Sequence, residues 1–417
     1  MTDFDVSALL DARTTRIIVT CGSGGVGKTT TAAALAVRAA DAGRTVAVLT
    51  IDPAKRLAGS LGLTELDNVP RRVELSDIDT EADSDLNSGV TTGKNVVATG
   101  KNKGAATGKR SRAAAAQGEL WAMMLDTRRT FDEMVSAHTT PERAAQILAN
   151  PFYRTISSSF SGTQEYMAME KLGQLAATGK YDLIVVDTPP SRSALDFLDA
   201  PQRLTSFLDG RMIRLLATPS RGVMKLVGVG FALFAKAVTA IIGGQMLTDA
   251  ARFVQLFEDM FGGFRARADA TYELLRDSGS AFVVVATCQA DAMREAAFFA
   301  DRLTVERMPL AGLILNRTHP PLVDLPPQVV AAAMAAAEAD PSKAKGSTLA
   351  RAALRIHSDR VVLDAEEQRM RARFDGAHPE IAVISIPALP TDVHDIAGLR
   401  RIAASLAPSR AASSAAQ

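Results

Sequence analysis

The sequence predicts an α/β fold: a mostly parallel sheet covered by helices on both faces, with a helical subdomain inserted into it. Three observations predict this. Short, continuous apolar runs rich in β-branched residues recur at 15–21, 45–51, 181–187, 281–287, 310–315 and 381–386 of the 417 residues. Helical stretches separate most of them. A glycine-rich loop joins the first run directly to an alanine-rich helical stretch.

The elements follow in order. Residues 15–21 (TRIIVTC) read as a buried strand closed by glycine, and Lys28 to Ala42 as a helix stopped by Gly43. A second strand, TVAVLTI, ends on Asp52-Pro53. Residues 78–118 start acidic, then become rich in Gly, Thr, Lys and Ala, with TGK recurring. Such a segment has too little apolar content to offset its ordering entropy, so a disordered insertion is expected. The blocks 119–178 and 194–278 read as helical, without a convincing strand, and form the expected subdomain. The core is then 14–77, 179–193 and 279–406, with a linker at 337–348 and a disordered tail over 407–417.

Composition narrows the function. Lys+Arg (47) nearly cancel Asp+Glu (46), so no basic field points to nucleic acid. Two cysteines, Cys21 and Cys288, are too few for a disulfide framework or a paired zinc motif and fit a reducing cytoplasm. His138, His319, His357, His378 and His394 show no metal-ligand spacing. The start of the chain is acidic and mixed, with no basic segment leading into an apolar one, so no export signal is expected. The apolar run 226–247 is long enough to span a bilayer, but Lys236 at its middle favours a buried or groove-lining helix.

The chemistry sits in the glycine-rich loop. Gly22, Ser23, Gly24, Gly25, Val26, Gly27, Lys28 and Thr29 match G-x-x-x-x-G-K-[ST] between a strand and a helix start, with Thr30 following. Glycines let the backbone wrap around phosphates with its N–H groups inward. Lys28 is expected to neutralise the β- and γ-phosphates, and the Thr29 hydroxyl to join the Mg²⁺ shell. The helix adds its positive N-terminal end. The fold is therefore expected to be a P-loop NTPase, with ATP and Mg²⁺ as its ligands. Asp187, ending YDLIVVD, occupies the position that holds Mg²⁺ through water. Asp52, ending the second strand, either orients the attacking water or caps the helix beginning at Pro53.

The loop, together with TIDPAKRL, VVVDTPPS, ILNR and IPALP in this order, resembles the ArsA and tail-anchored-protein-targeting (Get/TRC) ATPases of the deviant-Walker-A group. The likeness covers nearly the whole chain outside 78–118 and the tail, and comes nearest to an actinobacterial, mycobacterial-type ArsA-like anion-transporting ATPase subunit, one of a pair of related subunits. The resemblance implies that Asp52 positions the catalytic water and that Asp187 with Thr188-Pro189-Pro190 senses the γ-phosphate. It implies that Asn316 reads the adenine edge and that Pro387 to Leu389 pack on the adenine ring.

Departures from the family pattern matter as much. Ser23 stands where the family carries a signature lysine that reaches across the dimer. The resemblance therefore implies a heterodimer with a paralogous ATPase that keeps the lysine, or else a slow homodimer. Ser191-Arg192-Ser193 replaces Thr-Gly-His, and Arg192 is either a substitute cation or an outward-facing arginine. Cys21 and Cys288 cannot form a metalloid-binding cluster. The expected function is thus a nucleotide-switched, cytoplasmic ATPase, peripheral at most to the membrane, that handles a hydrophobic client or membrane partner. Alternatives are a weakly hydrolysing regulatory subunit and an arsenite-pump subunit. Met123, Met124, Met134, Met167, Met169, Met212, Met224, Met246 and Met260 lie in the helical blocks and either line a client groove or fill a core.

Overall fold

A computed structural model of the chain describes residues 3–52, 56–75, 118–159, 163–189, 244–323, 325–339 and 344–407. The strands are β1 (Ile17–Cys21), β2 (Thr45–Thr50), β3 (Arg71–Val73), β4 (Glu119–Met124), β5 (Leu183–Asp187), β6 (Ser280–Ala286), β7 (Leu310–Thr318) and β8 (Val383–Pro387). They form one sheet in the order β3-β4-β2-β5-β1-β6-β7-β8, parallel except for the β3–β4 edge pair. The helices are α1 (Val6–Asp11), α2 (Lys28–Asp41), α3 (Arg56–Ser60), α4 (Thr127–Ala137), α5 (Pro141–Ala149), α6 (Pro151–Ser159) and α7 (Thr163–Ala177). Beyond β5 come α8 (Gly244–Arg276), α9 (Ala290–Val305), α10 (Pro327–Ala339), α11 (Ala344–Ala377) and α12 (Ile396–Ser405).

The strands are buried on both faces, and alternation splits their side chains between two cores. Ile17, Val19 and Cys21 face a core with Met134, Tyr153, Tyr166, Leu172 and Phe264 from the helical blocks. Ile18, Val46, Val48 and Val185 face the other core, with Leu35 of α2 and Leu399 of α12. Six alanines of α2 are fully buried there, and their small side chains let the helix lie close to the sheet beneath the P-loop. β1 lies between β5 and β6, so the loop leaving its carboxyl end opens beside the ends of both.

Two expectations need correction. The block 119–178 opens with a strand: β4 pairs in parallel with β2, Thr45 opposite Glu119 through Thr50 opposite Met124. The sequence ELWAMM reads as helix locally, and pairing with β2 overrides that preference. The linker expected at 337–348 is largely helical, because α10 runs to Ala339 and α11 begins at Ala344. Of the methionines in the helical blocks, Met123, Met134, Met167 and Met169 are buried and fill a core, one of the two alternatives the sequence leaves open. Met212 and Met224 lie outside the described residues, as do the insertion over 78–117, most of the 226–247 run, Pro190 and Ser191-Arg192-Ser193. Among the described residues, no helix is long and apolar enough to cross a membrane.

Candidate functional site

The site grows from the carboxyl edge of the sheet. One row of that edge runs across three strands, with Thr20 of β1 and Thr50 of β2 both in register with Asp187 of β5. Thr50 Oγ1 donates to Asp187 Oδ2 at 2.9 Å, and Thr188 Oγ1 donates to the Thr20 carbonyl at 2.7 Å. The carboxylate is thus set by the sheet rather than by a mobile loop. Asp187 is fully buried, yet its Oδ1 has no hydrogen bond of ordinary geometry. Burial pushes its pKa from 3.8 up to about 6; the Thr29 and Thr50 hydroxyls and the Lys28 charge pull it down, and Asp52 pushes it up.

A buried, half-partnered carboxylate beside a threonine hydroxyl suits a hydrated hard cation. Thr29 and Asp187 would hold Mg²⁺, which when bound neutralises charge on the β- and γ-phosphate oxygens.

The P-loop backbone needs its glycines. Gly22 has φ +146°, Gly25 +79° and Gly27 +96°. A Cβ on Gly22 would sit 2.1 Å from the Val285 carbonyl oxygen on β6, and one on Gly27 2.2 Å from Asn316 Nδ2. Gly22→Ala is therefore expected to lower stability by about 3 kcal/mol or more, because the clash is with backbone that cannot rotate away. Denaturant unfolding measures it.

Gly27 is the N-cap of α2, which places Lys28 at the helix start with its side chain turned back across the loop. Lys28 Nζ donates to the Ser23 carbonyl at 2.7 Å. Burial holds its pKa below the ordinary lysine range, while Asp187, Cys21, Asp52 and Glu295 act against that shift. The ammonium is thus already oriented and partly stripped of water, so an incoming triphosphate meets little reorganisation.

Asp52 follows β2 and is half-buried, four residues before α3, with 53–55 outside the described residues. Its N–H donates to Thr50 Oγ1 at 3.3 Å, so one threonine touches both acidic residues. Gln164 of α7 donates from Nε2 to the Ile51 carbonyl at 2.7 Å, tying the helical block to the residue before Asp52.

The remaining expected residues meet in a cavity of about 790 Å³ whose walls include Thr29, Thr30, Asn316, Pro387 and Leu389. Asn316 is buried at the end of β7 and donates from Nδ2 to the Val26 carbonyl at 2.8 Å. Its Oδ1 accepts from the Arg317 N–H at 3.0 Å. Arg317 is held at φ +58°, uncommon for a residue with a side chain, and its guanidinium borders the loop near the Gly25 carbonyl. Val26 is buried, while Gly24 and Gly25 are exposed at the loop's tip. Ser23 lines a second cavity, of about 660 Å³, together with Asp291, Glu295 and Glu367.

Thr50, Gln164 and Arg317 were not singled out from the sequence. Thr50 sits in TIDP one turn of strand from Asp52, a signal that could have found it. Nothing local marks Gln164.

A family model described as "Anion-transporting ATPase" matches residues 15–116 and 105–324. Two relatives carry the name "ATPase GET3". The one from Malassezia globosa is 24% identical over 200 residues, covering 48% of this chain and 46% of its own. The one from Podospora anserina is 24% identical over 230 residues, covering 55% of each. The chain thus spans about half the length of these curated relatives.

Proposed function

The chain belongs to the anion-transporting ATPase family, and from that premise we propose that it binds Mg·ATP and hydrolyses it as a nucleotide-switched subunit of a pair. ATP holds the pair closed and hydrolysis opens it, in the service of a hydrophobic client or membrane partner. The observation that carries the reading is the meeting of Lys28, Thr29, Asp52 and the half-partnered Asp187 at one sheet edge.

In this reading the P-loop amides and Lys28 bind the phosphates, Asp52 orients the attacking water, and Asn316, Pro387 and Leu389 receive the base. Asp187 and the row of threonines keep the edge in register as the γ-phosphate is lost. Location in the cytoplasm fits the cysteine usage.

The cysteines support a client other than arsenite. Cys21 and Cys288 are both buried, and burial pushes each thiol up to about 12. A soft metalloid needs accessible thiolates converging on one point. The client half of the reading rests on the family and on the apolar run at 226–247.

Ser23 favours a second reading, that of a regulatory subunit which hydrolyses weakly by itself. Its cavity is lined by Asp291, Glu295 and Glu367 together with Arg317 and His319, with room beside Ser23 for a longer side chain. A transition-state cation given in trans is worth roughly 10³–10⁵ in rate. Ser23→Lys is therefore expected to raise turnover of the chain alone at least ~10-fold, with Asp52→Asn abolishing the gain. Equal turnover of Ser23→Lys and wild type in a phosphate-release assay would remove the argument for a missing cation.

A further inference from the structure

Asn316 can select a base only if its amide stands one way round. Nδ2 donates to the Val26 carbonyl at 2.8 Å, and Oδ1 accepts from the Arg317 N–H at 3.0 Å. A flipped amide would set N–H against N–H and oxygen against oxygen, so these two backbone groups fix its orientation. One N–H and one lone pair of the amide remain, the complement of the N7 acceptor and N6 donor of adenine. Guanine carries an oxygen where adenine has N6, so the same amide meets it with one repulsive contact.

The Arg317 N–H is aimed by a β-bulge. Asn316 stands opposite Ile386 and Thr318 opposite Pro387, which leaves Arg317 as the extra residue, at φ +58°. A residue with a side chain persists in that conformation only where its surroundings hold it. Just past the bulge, the Thr318 carbonyl accepts from the Ala388 N–H at 2.8 Å. The next two residues are held by α11. Glu367 is buried there, and its Oε2 accepts from the His319 backbone N–H at 2.8 Å while its Oε1 lies 2.7 Å from His319 Nδ1. Arg360 of the same helix donates from Nε to the Pro320 carbonyl at 2.6 Å.

We propose that Glu367 is a positioning residue for base selection. By clamping the chain just past the bulge, it keeps the Arg317 N–H on Asn316 Oδ1 and the amide turned for adenine rather than guanine. Both oxygens of a buried carboxylate are spent on one residue, a two-point contact that fixes direction as well as distance. Glu367 itself touches no nucleotide in this scheme; it acts through His319, the bulge and Asn316. The inference rests on the nucleotide reading above and adds to it a residue of α11, outside every motif of the site.

Calorimetric titration of the full chain with ADP and with GDP, in Mg²⁺, tests it; these nucleotides offer the two bases and are not turned over. Wild type should bind ADP about 10–100-fold more tightly, the worth of one two-point base contact. Glu367→Ala should cut that ratio at least ~5-fold, mainly by weakening ADP. Glu367→Gln should keep it within ~2-fold of wild type. Its amide oxygen still accepts from the His319 N–H, and its NH₂ can donate to Nδ1 in the other imidazole tautomer. His319→Ala, at a partly exposed side chain, tests the same clamp should Glu367→Ala fail to fold; it keeps the backbone contact and should lower the ratio at least ~2-fold. A merely structural role would lower the fraction of chain that binds and leave the ratio of the two constants unmoved. An unchanged ratio in Glu367→Ala, or in His319→Ala where the first does not fold, would overturn the role of Glu367. Equal binding of ADP and GDP by wild type would overturn the fixed amide and leave the nucleotide reading standing. Binding of neither would overturn the nucleotide reading and this inference with it.

Discussion

Asp187→Asn should abolish Mg²⁺-dependent turnover and change how stability depends on pH. The carboxyl is buried, with one oxygen on the Thr50 hydroxyl and the other lacking a hydrogen bond of ordinary geometry. Losing a cation-holding carboxylate from such a site is expected to cost at least ~100-fold in rate. The stability effect has a definite sign. The folded pKa, about 6, lies above the ordinary 3.8, so between these values the folded state binds the extra proton. Stability from this group is then fully present below the lower value and falls as pH rises through the upper one. The span corresponds to about 3 kcal/mol. Relative to wild type, Asp187→Asn should therefore gain up to about 3 kcal/mol between pH 4 and pH 8, whatever its offset at pH 4. Urea unfolding of the nucleotide-free protein at the two pH values measures it. Equal pH dependence in both proteins would mean that the carboxyl is not held in this buried state.

Lys28→Ala should remove ATP binding, with an affinity loss of at least ~100-fold, because charge-assisted hydrogen bonds are worth about 1.5–3 kcal/mol each. Two further effects act in the same direction. The substitution leaves Asp187, Asp52 and Glu295 without the nearby positive charge, so the site repels a triphosphate. It also leaves the Ser23 carbonyl without its 2.7 Å donor, which loosens the loop. Lys28→Arg should not restore affinity, since a planar guanidinium cannot replace a point ammonium turned back across a tight loop. Titration calorimetry with ATP checks both variants. Retained affinity in Lys28→Ala would place the nucleotide elsewhere.

The parts of this molecule readable in the sequence are those whose cause is local. TRIIVTC and YDLIVVD are short, continuous and β-branched, and the structure makes strands of Ile17–Cys21 and Leu183–Asp187. Lys28 to Ala42 is alanine-rich with a glycine on either side, and the helix runs Lys28–Asp41. The P-loop was legible because phosphate cradling demands glycines at fixed offsets, and all three positive-φ positions in the loop are glycine.

What escaped has a distant cause. ELWAMM is a strand only because β2 lies beside it, and nothing within those six residues says so. The start of α11 is rich in Gly, Ser and Lys, a composition typical of linkers, although the helix runs for 34 residues. Thr50 and Gln164 earn their places through partners 137 and 113 residues away. Even Ser23, noticed for the side chain it lacks, turns out to serve through its backbone carbonyl.

Titration of the wild-type chain with ATP, with and without Mg²⁺, addresses the central claim most directly. Saturable one-to-one binding that Mg²⁺ strengthens and Lys28→Ala abolishes is the expected result. No saturable binding by wild type, or equal binding by Lys28→Ala, would contradict it.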